Sequence, residues 1–148
     1  MASVFDVAQY ILQKQGKMTA MKLQKLVYYC QAWSLVWDEK PLFDETIEAW
    51  ASGPVVRELY DVHKGMFEVT SSSFPKGKPD KLTAKQKETI YAVLDFYGDQ
   101  SAQWLSDLTH IEDPWKLARK GLEEGESCDS VITIASMCEY YSEIDAGD

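Results

Sequence analysis

The sequence predicts one mainly α-helical (α+β) domain, with about six to seven helices and a small antiparallel sheet of two or three strands. Three observations favour this fold. Apolar residues recur at helical spacing, several such segments start with a residue typical of a helix N-cap, and only two short segments have strand character. With 45% hydrophobic residues, the 148-residue chain suits a single globular domain over residues 1–148.

The first two helices are predicted from their caps and apolar spacing. Ser3 and Asp6 form a capping pair, and apolar residues continue at helical spacing to Gly16, a typical C-terminal residue. Thr19 caps the second helix, which runs to about Val36. This second helix is apolar over much of its circumference, which is typical of a central helix that contacts several neighbours.

The middle of the chain combines a strand, a helix and a long loop. Residues 46–51 alternate as in a short strand. Proline is favoured at the first position of a helix, so Pro54 predicts a helix that runs to about Lys64 or Met66. Residues 70–80 are rich in Ser, Pro, Gly and Lys, and they predict a long flexible loop.

Two helices are predicted after this loop. Thr83 and Gln86 have the form of a capping box at the start of the first helix. Its buried side is predicted at four apolar positions: Ile90, Val93, Leu94 and Tyr97. Ser101 begins a shorter helix that includes Leu105 and Leu108.

The last quarter of the chain predicts two more helices and a second strand. The pair Asp113–Pro114 opens a helix that ends at about Gly121. Residues 123–130 form an acidic turn, and the β-branched residues 131–133 predict a strand. Residues 134–141 then predict a closing helix.

The net charge of −9 is concentrated at one end of the chain. Residues 121–148 contain eight acidic residues and no lysine or arginine. An acidic total argues against nucleic acid as a partner. The acidic segment, which we treat as part of the same domain, either is simply solvated or attracts a basic partner through Glu123, Glu124 and Glu126.

Neither a membrane span nor a secretion signal is indicated. The longest apolar stretch, residues 26–30, is far too short to cross a bilayer. Asp6 and Gln9 interrupt the N-terminal segment where a signal peptide would be apolar. We therefore expect a soluble, cytoplasmic protein without a membrane partner.

The three cysteines, Cys30, Cys128 and Cys138, follow no zinc-binding spacing and indicate no disulfide framework. Two of them fall where buried residues are expected, so we interpret them as small core residues. No metal ion or other cofactor is predicted.

Residues 108–115 look most like a reactive site. His110 and Glu112 are candidates for a shared metal, or His110 for a general base. The first idea lacks a third ligand and the second lacks a nucleophile. The alternative is structural: Thr109 and His110 hydrogen-bond backbone groups at a helix junction, and Asp113 caps the next helix. We expect no catalytic residue.

A phosphate-binding turn at Gly53 and Pro54 is a weaker possibility, since no second glycine and no P-loop lysine follow. Close packing at a corner between strand and helix explains the pair better. Arg57 is then either a surface ion-pair partner or an interface anchor.

The aromatic residues are the best functional clue, because they make up 12% of the chain. Trp33 and Trp37 are four residues apart on one helix, and Trp50 precedes the Gly–Pro corner. Tryptophan is common both in cores and at protein interfaces. We predict that Trp33, Trp37 and Trp50, with Arg57 and Tyr60, bind a partner protein.

Three segments, in order, resemble the Panacea domain, also called the SocA-like or phage-associated GepA-like family. They are "MKLQKLVYYCQAW", "KPLFDETIEAWASGPVVRELYD" and "LSDLTHIEDPWKLAR". The residues that match the family pattern are Lys22, Leu23, Lys25, Leu26, Val27, Tyr28 and Tyr29; Glu48, Ala49, Trp50, Gly53, Pro54 and Val55; and Leu108, Thr109, His110, Pro114 and Trp115. The resemblance extends from about residue 3 to residue 142.

This resemblance implies an antitoxin that neutralises a cognate protein toxin by direct contact, without enzymatic activity. One branch of the family instead delivers its toxin to a AAA+ protease, so a proteolytic adaptor is an alternative. A phage-encoded inhibitor of a host protein is another, and a His/carboxylate enzyme is a third. Some members carry a further DNA-binding domain; we expect no room for one beside the shared domain here, and therefore no autorepression by DNA binding. Neither the toxin nor the oligomeric state is predicted.

Overall fold

A computed structural model describes residues 2–123 and 125–147. Within them the chain forms seven α-helices and five short strands, so the predicted mainly α fold class is confirmed. The helices are α1 (Val4–Gln15), α2 (Ala20–Trp37), α3 (Arg57–His63), α4 (Ala84–Tyr97), α5 (Ala102–Ile111), α6 (Asp113–Ala118) and α7 (Ile134–Gly147). The strands are β1 (Met18–Thr19), β2 (Ile47–Trp50), β3 (Gly53–Val56), β4 (Glu68–Val69) and β5 (Val131–Ile132).

The strands form two antiparallel sheets. One is the pair β1–β4, and the other has three strands in the order β3–β2–β5. In the larger sheet Ile47 lies opposite both Val56 and Ile132, so β2 is its central strand. The smaller sheet was missed because two-residue strands carry almost no periodic signal.

Helix α2 is the centre of the fold, as its apolar circumference predicted. Every residue from Leu23 to Leu35 is buried, and α2 packs against α1, α4, α5, α7 and the larger sheet. The described part of the chain has no helix with the length and apolarity needed to cross a bilayer.

Four of the predicted helix starts are confirmed by their hydrogen bonds. The Asp6 N–H donates to Ser3 Oγ, and Asp6 Oδ2 accepts from the Ser3 N–H at 2.9 Å. Thr19 caps α2 through Oγ1, and Ser101 caps α5 in the same way. The capping box of α4 is also present. These motifs depend on residues three apart, so the local sequence is enough to find them.

The helix predicted to start at Pro54 is wrong. Residues 53–56 form strand β3, and the helix begins at Arg57. Gly53 has φ of 122°, which lets the chain reverse after a two-residue turn and pair back onto β2. Pro54 is tolerated because β3 is an edge strand, and the Ala49 N–H opposite it donates to Ser130 instead.

Three boundaries in the second half of the chain also differ from the prediction. Asp113 does not cap α6: Glu112 occupies the cap position, without a side-chain cap bond, and Asp113 is the first helical residue. Helix α6 ends at Ala118 rather than near Gly121. Helix α7 continues well past residue 141, to Gly147.

The loop over residues 70–80 is held on α1. Phe74 is buried, and the Lys78 N–H donates to Asp6 Oδ1 at 2.7 Å. The loop ends in a single 3₁₀ turn, Pro79–Lys81. A carboxylate that caps α1 therefore also fixes a loop more than seventy residues away in sequence.

Candidate functional site

Two glutamines of α2 fix the chain segments around the larger sheet. Gln24 Oε1 accepts from the Val56 N–H at 2.9 Å, and Gln24 Nε2 donates to the Val56 carbonyl at 3.2 Å. Gln31 binds the segment before β2 in the same way. Its Oε1 accepts from the Leu42 and Phe43 N–H groups, and its Nε2 donates to the Phe43 carbonyl. The sheet is therefore bound to α2 by buried hydrogen bonds as well as by apolar contact.

The larger sheet has one buried face and one partly open face. Alternate side chains of the strands face α2, and these are buried: Ile47, Ala49, Val56 and Ile132. The intervening positions point the other way, and we call this side the outer face. It carries Glu48 and Trp50 of β2, Val131 of β5, and Arg57 directly after β3.

Four side chains of the outer face and of α3 form one cluster around Trp50. The Arg57 guanidinium lies 5.2 Å from the Trp50 ring centroid, a cation–π distance. Glu48 Oε1 accepts from Trp50 Nε1 at 2.8 Å and from Arg57 Nη2 at 3.1 Å. The Tyr60 and Trp50 rings pack edge to face, with their centroids 4.7 Å apart. Because Glu48 binds both neighbours, the indole and the guanidinium are held before any partner arrives.

The segment before β5 is held against β2 by two residues of the α6 region. Arg119 is buried and donates to the Ala49 carbonyl at 2.9 Å and to the Glu126 carbonyl. Trp115 Nε1 donates to the Trp50 carbonyl at 2.8 Å, and the Arg119 guanidinium lies 5.0 Å from the Trp115 ring. Arg119 therefore ties the acidic loop to the strand that carries Trp50.

An open cleft of about 610 Å³ lies between these two parts. Trp50, Ser52 and Arg57 line one side, and residues 127–129 line the other. The Arg57 side chain is 48% exposed and Glu48 only 15%. The cleft thus presents a cation, an indole and the carboxylate of Asp129 around one depression.

The structure brings Trp50, Arg57 and Tyr60 together, but it places Trp33 and Trp37 elsewhere. The two α2 indoles stack on each other with centroids 5.0 Å apart. Trp33 is 8% exposed and donates to the Tyr97 hydroxyl, so almost all of its side chain lies in the core. Trp37 is 41% exposed and donates to Asp145 of α7, at a different surface from the outer face.

The predicted acidic residues lie on the loop that Arg119 holds. Glu123 and Glu126 are exposed, and Glu126 Oε2 accepts from the Glu123 N–H at 3.1 Å. Glu123 also lines a second cleft, beside His110 and Trp115. Glu124 lies outside the described residues.

His110 and Glu112 face different neighbours. His110 stacks on Trp115 with ring centroids 4.2 Å apart. Glu112 is buried, and its Oε1 accepts from the hydroxyls of Tyr29 and Tyr141, each at 2.7 Å. Burial raises the pKa of the Glu112 carboxyl, although the two tyrosine bonds oppose the shift. Within the described residues, no group of three or more His, Cys, Asp or Glu side chains is arranged to hold a metal ion.

The structural alternative for the same stretch is confirmed for Thr109, whose hydroxyl donates to the Ser106 carbonyl. The three cysteines are free thiols, and Cys30 is buried while Cys128 and Cys138 are partly exposed.

Sequence reasoning missed Lys25, Gln24 and Arg119 as structural determinants. Lys25 is 1% exposed, and its Nζ has no hydrogen-bond partner among the residues described. Burial lowers the pKa of Lys25 to about 8. The available signal was the presence of Gln24, Lys25 and Gln31 on a helix that is otherwise apolar on all sides, since such polar residues must be buried with it.

A family model described as antitoxin SocA-like, Panacea domain matches residues 23–116, well over half of the chain. This range contains most of α2, the hairpin β2–β3 and α3 to α5, and thus the Trp50 cluster. The comparisons with curated proteins and with solved structures give no match.

Proposed function

The chain belongs to the antitoxin SocA-like, Panacea domain family, and on that premise we propose that it neutralises a cognate protein toxin by direct binding through the outer face. The residues that carry this binding are Trp50, Arg57 and Tyr60, with the acidic loop around Glu123 and Glu126 beside them. The protein acts by covering a surface of the toxin.

The single observation that carries the proposal is the cluster around Trp50. Tryptophan, tyrosine and arginine are the residue types most enriched among residues that dominate binding energy. Here Trp50 and Arg57 line an open cleft and Tyr60 packs on the Trp50 ring, while Glu48 holds Trp50 and Arg57 in place through two hydrogen bonds. Because these side chains are already ordered, little conformational entropy is lost when a partner contacts them.

The charge of the surroundings favours a basic partner. The loop that borders the cleft carries Glu123, Glu126 and Asp129, and residues 121–148 contain no lysine or arginine. Complementary charge raises the rate of association and excludes acidic partners. The neighbouring toxin surface is therefore basic in this proposal.

The geometry supports binding better than the His110/Glu112 enzyme. The Glu112 carboxylate is committed to Tyr29 and Tyr141, and the His110 ring lies flat on Trp115. A general base needs a carboxylate that orients its ring, and Glu112 Oε1 is already occupied by the two tyrosine hydroxyls.

Co-expression with the protein encoded by the adjacent reading frame tests the proposal. The wild-type chain restores growth and co-purifies with that protein, whereas Trp50→Ala and Arg57→Glu do neither. Trp104→Ala is the matched control, because Trp104 is an exposed tryptophan (41%) that lies on α5, away from the half-buried Trp50. Wild-type-like rescue by both Trp50→Ala and Arg57→Glu would overturn the outer face as the binding site.

The same experiment separates occlusion from delivery to a protease. Under occlusion the toxin accumulates in a stable complex whether or not AAA+ proteases are present. Under delivery the toxin disappears in wild-type cells and accumulates when the protease gene is deleted. If the neighbouring protein is harmless alone and a host protein co-purifies instead, the inhibitor alternative is favoured.

A further inference from the structure

The larger sheet has two edge strands. At the β3 edge, the outward-pointing backbone groups are already bonded within the protein. Val56 lies opposite Ile47 in a pair that exchanges no backbone hydrogen bonds, so the N–H and C=O of Val56 point away from β2. Both of these groups on Val56 are bonded by the side chain of Gln24. Pro54, two residues earlier, has no N–H to offer. An additional strand therefore finds no complete set of backbone partners at β3.

The edge of β5 is different. The Ala49 N–H donates to the Ser130 carbonyl at 2.8 Å, which fixes the phase of the ladder between β2 and β5. Because paired residues alternate along an antiparallel ladder, Val131 points its own N–H and C=O away from β2. Across residues 2–123 and 125–147, neither group has a hydrogen-bond partner, and Val131 is 48% exposed.

We propose that the β5 edge takes up an extended, basic segment of the toxin as a fourth strand of this sheet. The inference rests on the proposed function and adds the form that the partner takes at the interface. Backbone hydrogen bonds to Val131 then supply affinity, and side-chain pockets beside the strand supply specificity.

The surroundings of β5 fit such a segment. An apolar cleft of about 290 Å³ lies at the end of the strand, lined by Ile47, Val131, Ile134 and Met137 among others. Its rim carries the carboxylates of Asp44 and Glu45, and Asp129 precedes the strand on the other side. Apolar side chains of the added strand enter the cleft, while lysine or arginine side chains meet the three carboxylates.

The acidic rim also argues against a second copy of this chain as the occupant. Pairing of two β5 edges would bring together two strands that are each bordered by Asp44, Glu45 and Asp129, without a basic residue in residues 121–148 to compensate. An added toxin strand, by contrast, extends the outer face on which Trp50 and Arg57 lie. The two parts of the interface are thus continuous.

Amide hydrogen exchange followed by NMR tests the inference with the full chain and the toxin that it neutralises. In the free protein the Val131 amide exchanges rapidly, whereas the Val56 amide, bonded to Gln24, is protected. Saturation with toxin protects Val131 and leaves Val56 unchanged. An equally fast Val131 amide in the saturated complex would overturn the added strand.

Two substitutions at Val131 separate the contribution of its backbone N–H to toxin binding from the contribution of its side chain. Val131→Pro removes the N–H that the added strand needs, and we expect roughly tenfold weaker binding of the toxin. Val131→Ala keeps the N–H and serves as the control, with a smaller loss. Because Val131 bonds nothing through its N–H in the free protein, thermal unfolding of Val131→Pro should stay close to that of Val131→Ala.

Failure of this inference is distinguishable from failure of the proposed function. If the toxin binds the wild-type chain and Trp50→Ala abolishes binding while Val131→Pro binds like Val131→Ala, only the added strand is wrong. If the wild-type chain does not bind the toxin, the proposed function is wrong. A dimer of the free chain in which Val131 is already protected would also overturn the inference.

Discussion

The side chain of Gln24 holds both backbone groups of Val56, with Oε1 2.9 Å from N and Nε2 3.2 Å from O. Gln24 Nε2 also donates its second hydrogen to His63 Nε2, with the two nitrogens 2.9 Å apart, so both amide hydrogens are bonded. This one residue of α2 therefore joins the central helix to β3 and to the end of α3.

Replacing Gln24 by leucine keeps the size of the side chain and removes these bonds. Two buried backbone groups then lose their partners, and we expect the free energy of unfolding to fall by about 3 kcal/mol. Urea denaturation measures the change. Gln13→Leu, at an exposed position of α1, is the control and should shift stability by less than about 0.5 kcal/mol. Equal effects of the two substitutions would contradict the role of Gln24.

Lys25 gives a pH-dependent prediction. Its pKa falls from 10.5 to about 8 on folding because the ammonium group is buried. Between these two pH values the unfolded chain binds the proton more strongly, so the free energy of unfolding rises with pH across this window. Lys25→Met lacks this rise. The difference in the free energy of unfolding between wild type and Lys25→Met should change by ~3 kcal/mol from pH 8 to pH 10.5.

Paired denaturation curves of wild type and Lys25→Met at several pH values make the measurement. The comparison cancels the contributions of all other titratable groups, because both proteins share them. Lys120→Met, at an exposed lysine, is the control and should run parallel to wild type. If the difference in the free energy of unfolding between wild type and Lys25→Met stays constant with pH, a buried ammonium at this position is contradicted.

The buried Glu112 carboxyl predicts a pH dependence of the opposite sign: its contribution to the free energy of unfolding rises as the pH falls. Its pKa is raised above the ordinary 4.5 by burial, so the folded protein takes up a proton at a higher pH than the unfolded chain does. Wild type should therefore gain stability relative to Glu112→Gln as the pH falls from neutral towards 4.5. Thermal unfolding across this range checks the sign, with Glu88→Gln at an exposed site as the control. A loss of relative stability on acidification would show that the tyrosine bonds outweigh burial.

Gly53 predicts the cost of a side chain at the hairpin. A Cβ there would lie 2.5 Å from Lys25 Cε, and the backbone has φ of 122°. Gly65 also has positive φ, 88°, but a Cβ there meets nothing within 4 Å. Gly65→Ala should cost about 1 kcal/mol through its backbone alone, and Gly53→Ala about 2 kcal/mol more through the clash. Chemical denaturation of both variants tests the difference, which disappears if Lys25 can move away freely.

The features that sequence reasoning predicted correctly are local ones. Ser3 with Asp6, and Thr83 with Gln86, cap helices through residues three apart, so their partners are visible in the sequence. The burial of α2 followed from its apolar circumference. The family resemblance found the segment around Trp50 for the same reason, since its motif is continuous.

What sequence reasoning could not predict depends on residues far apart in the chain. Pro54 is compatible both with a helix start and with an edge strand, and only the pairing with β2 decides between them. The outer face exists because Ile47 pairs with Ile132, eighty-five residues later. Trp33 and Trp50 look alike in sequence, yet one faces Tyr97 in the core and the other faces Arg57 at a cleft.

The account depends most on the claim that the toxin covers the cleft beside Trp50. Cys128 lines this cleft and Cys138 lies on α7, and both are partly exposed while Cys30 is buried. The rates at which a maleimide modifies Cys128 and Cys138, measured by peptide mass spectrometry with and without saturating toxin, test the claim on the unmodified chain. We predict that toxin slows modification of Cys128 strongly and leaves Cys138 unaffected. Modification of Cys128 at the same rate in the saturated complex would contradict it.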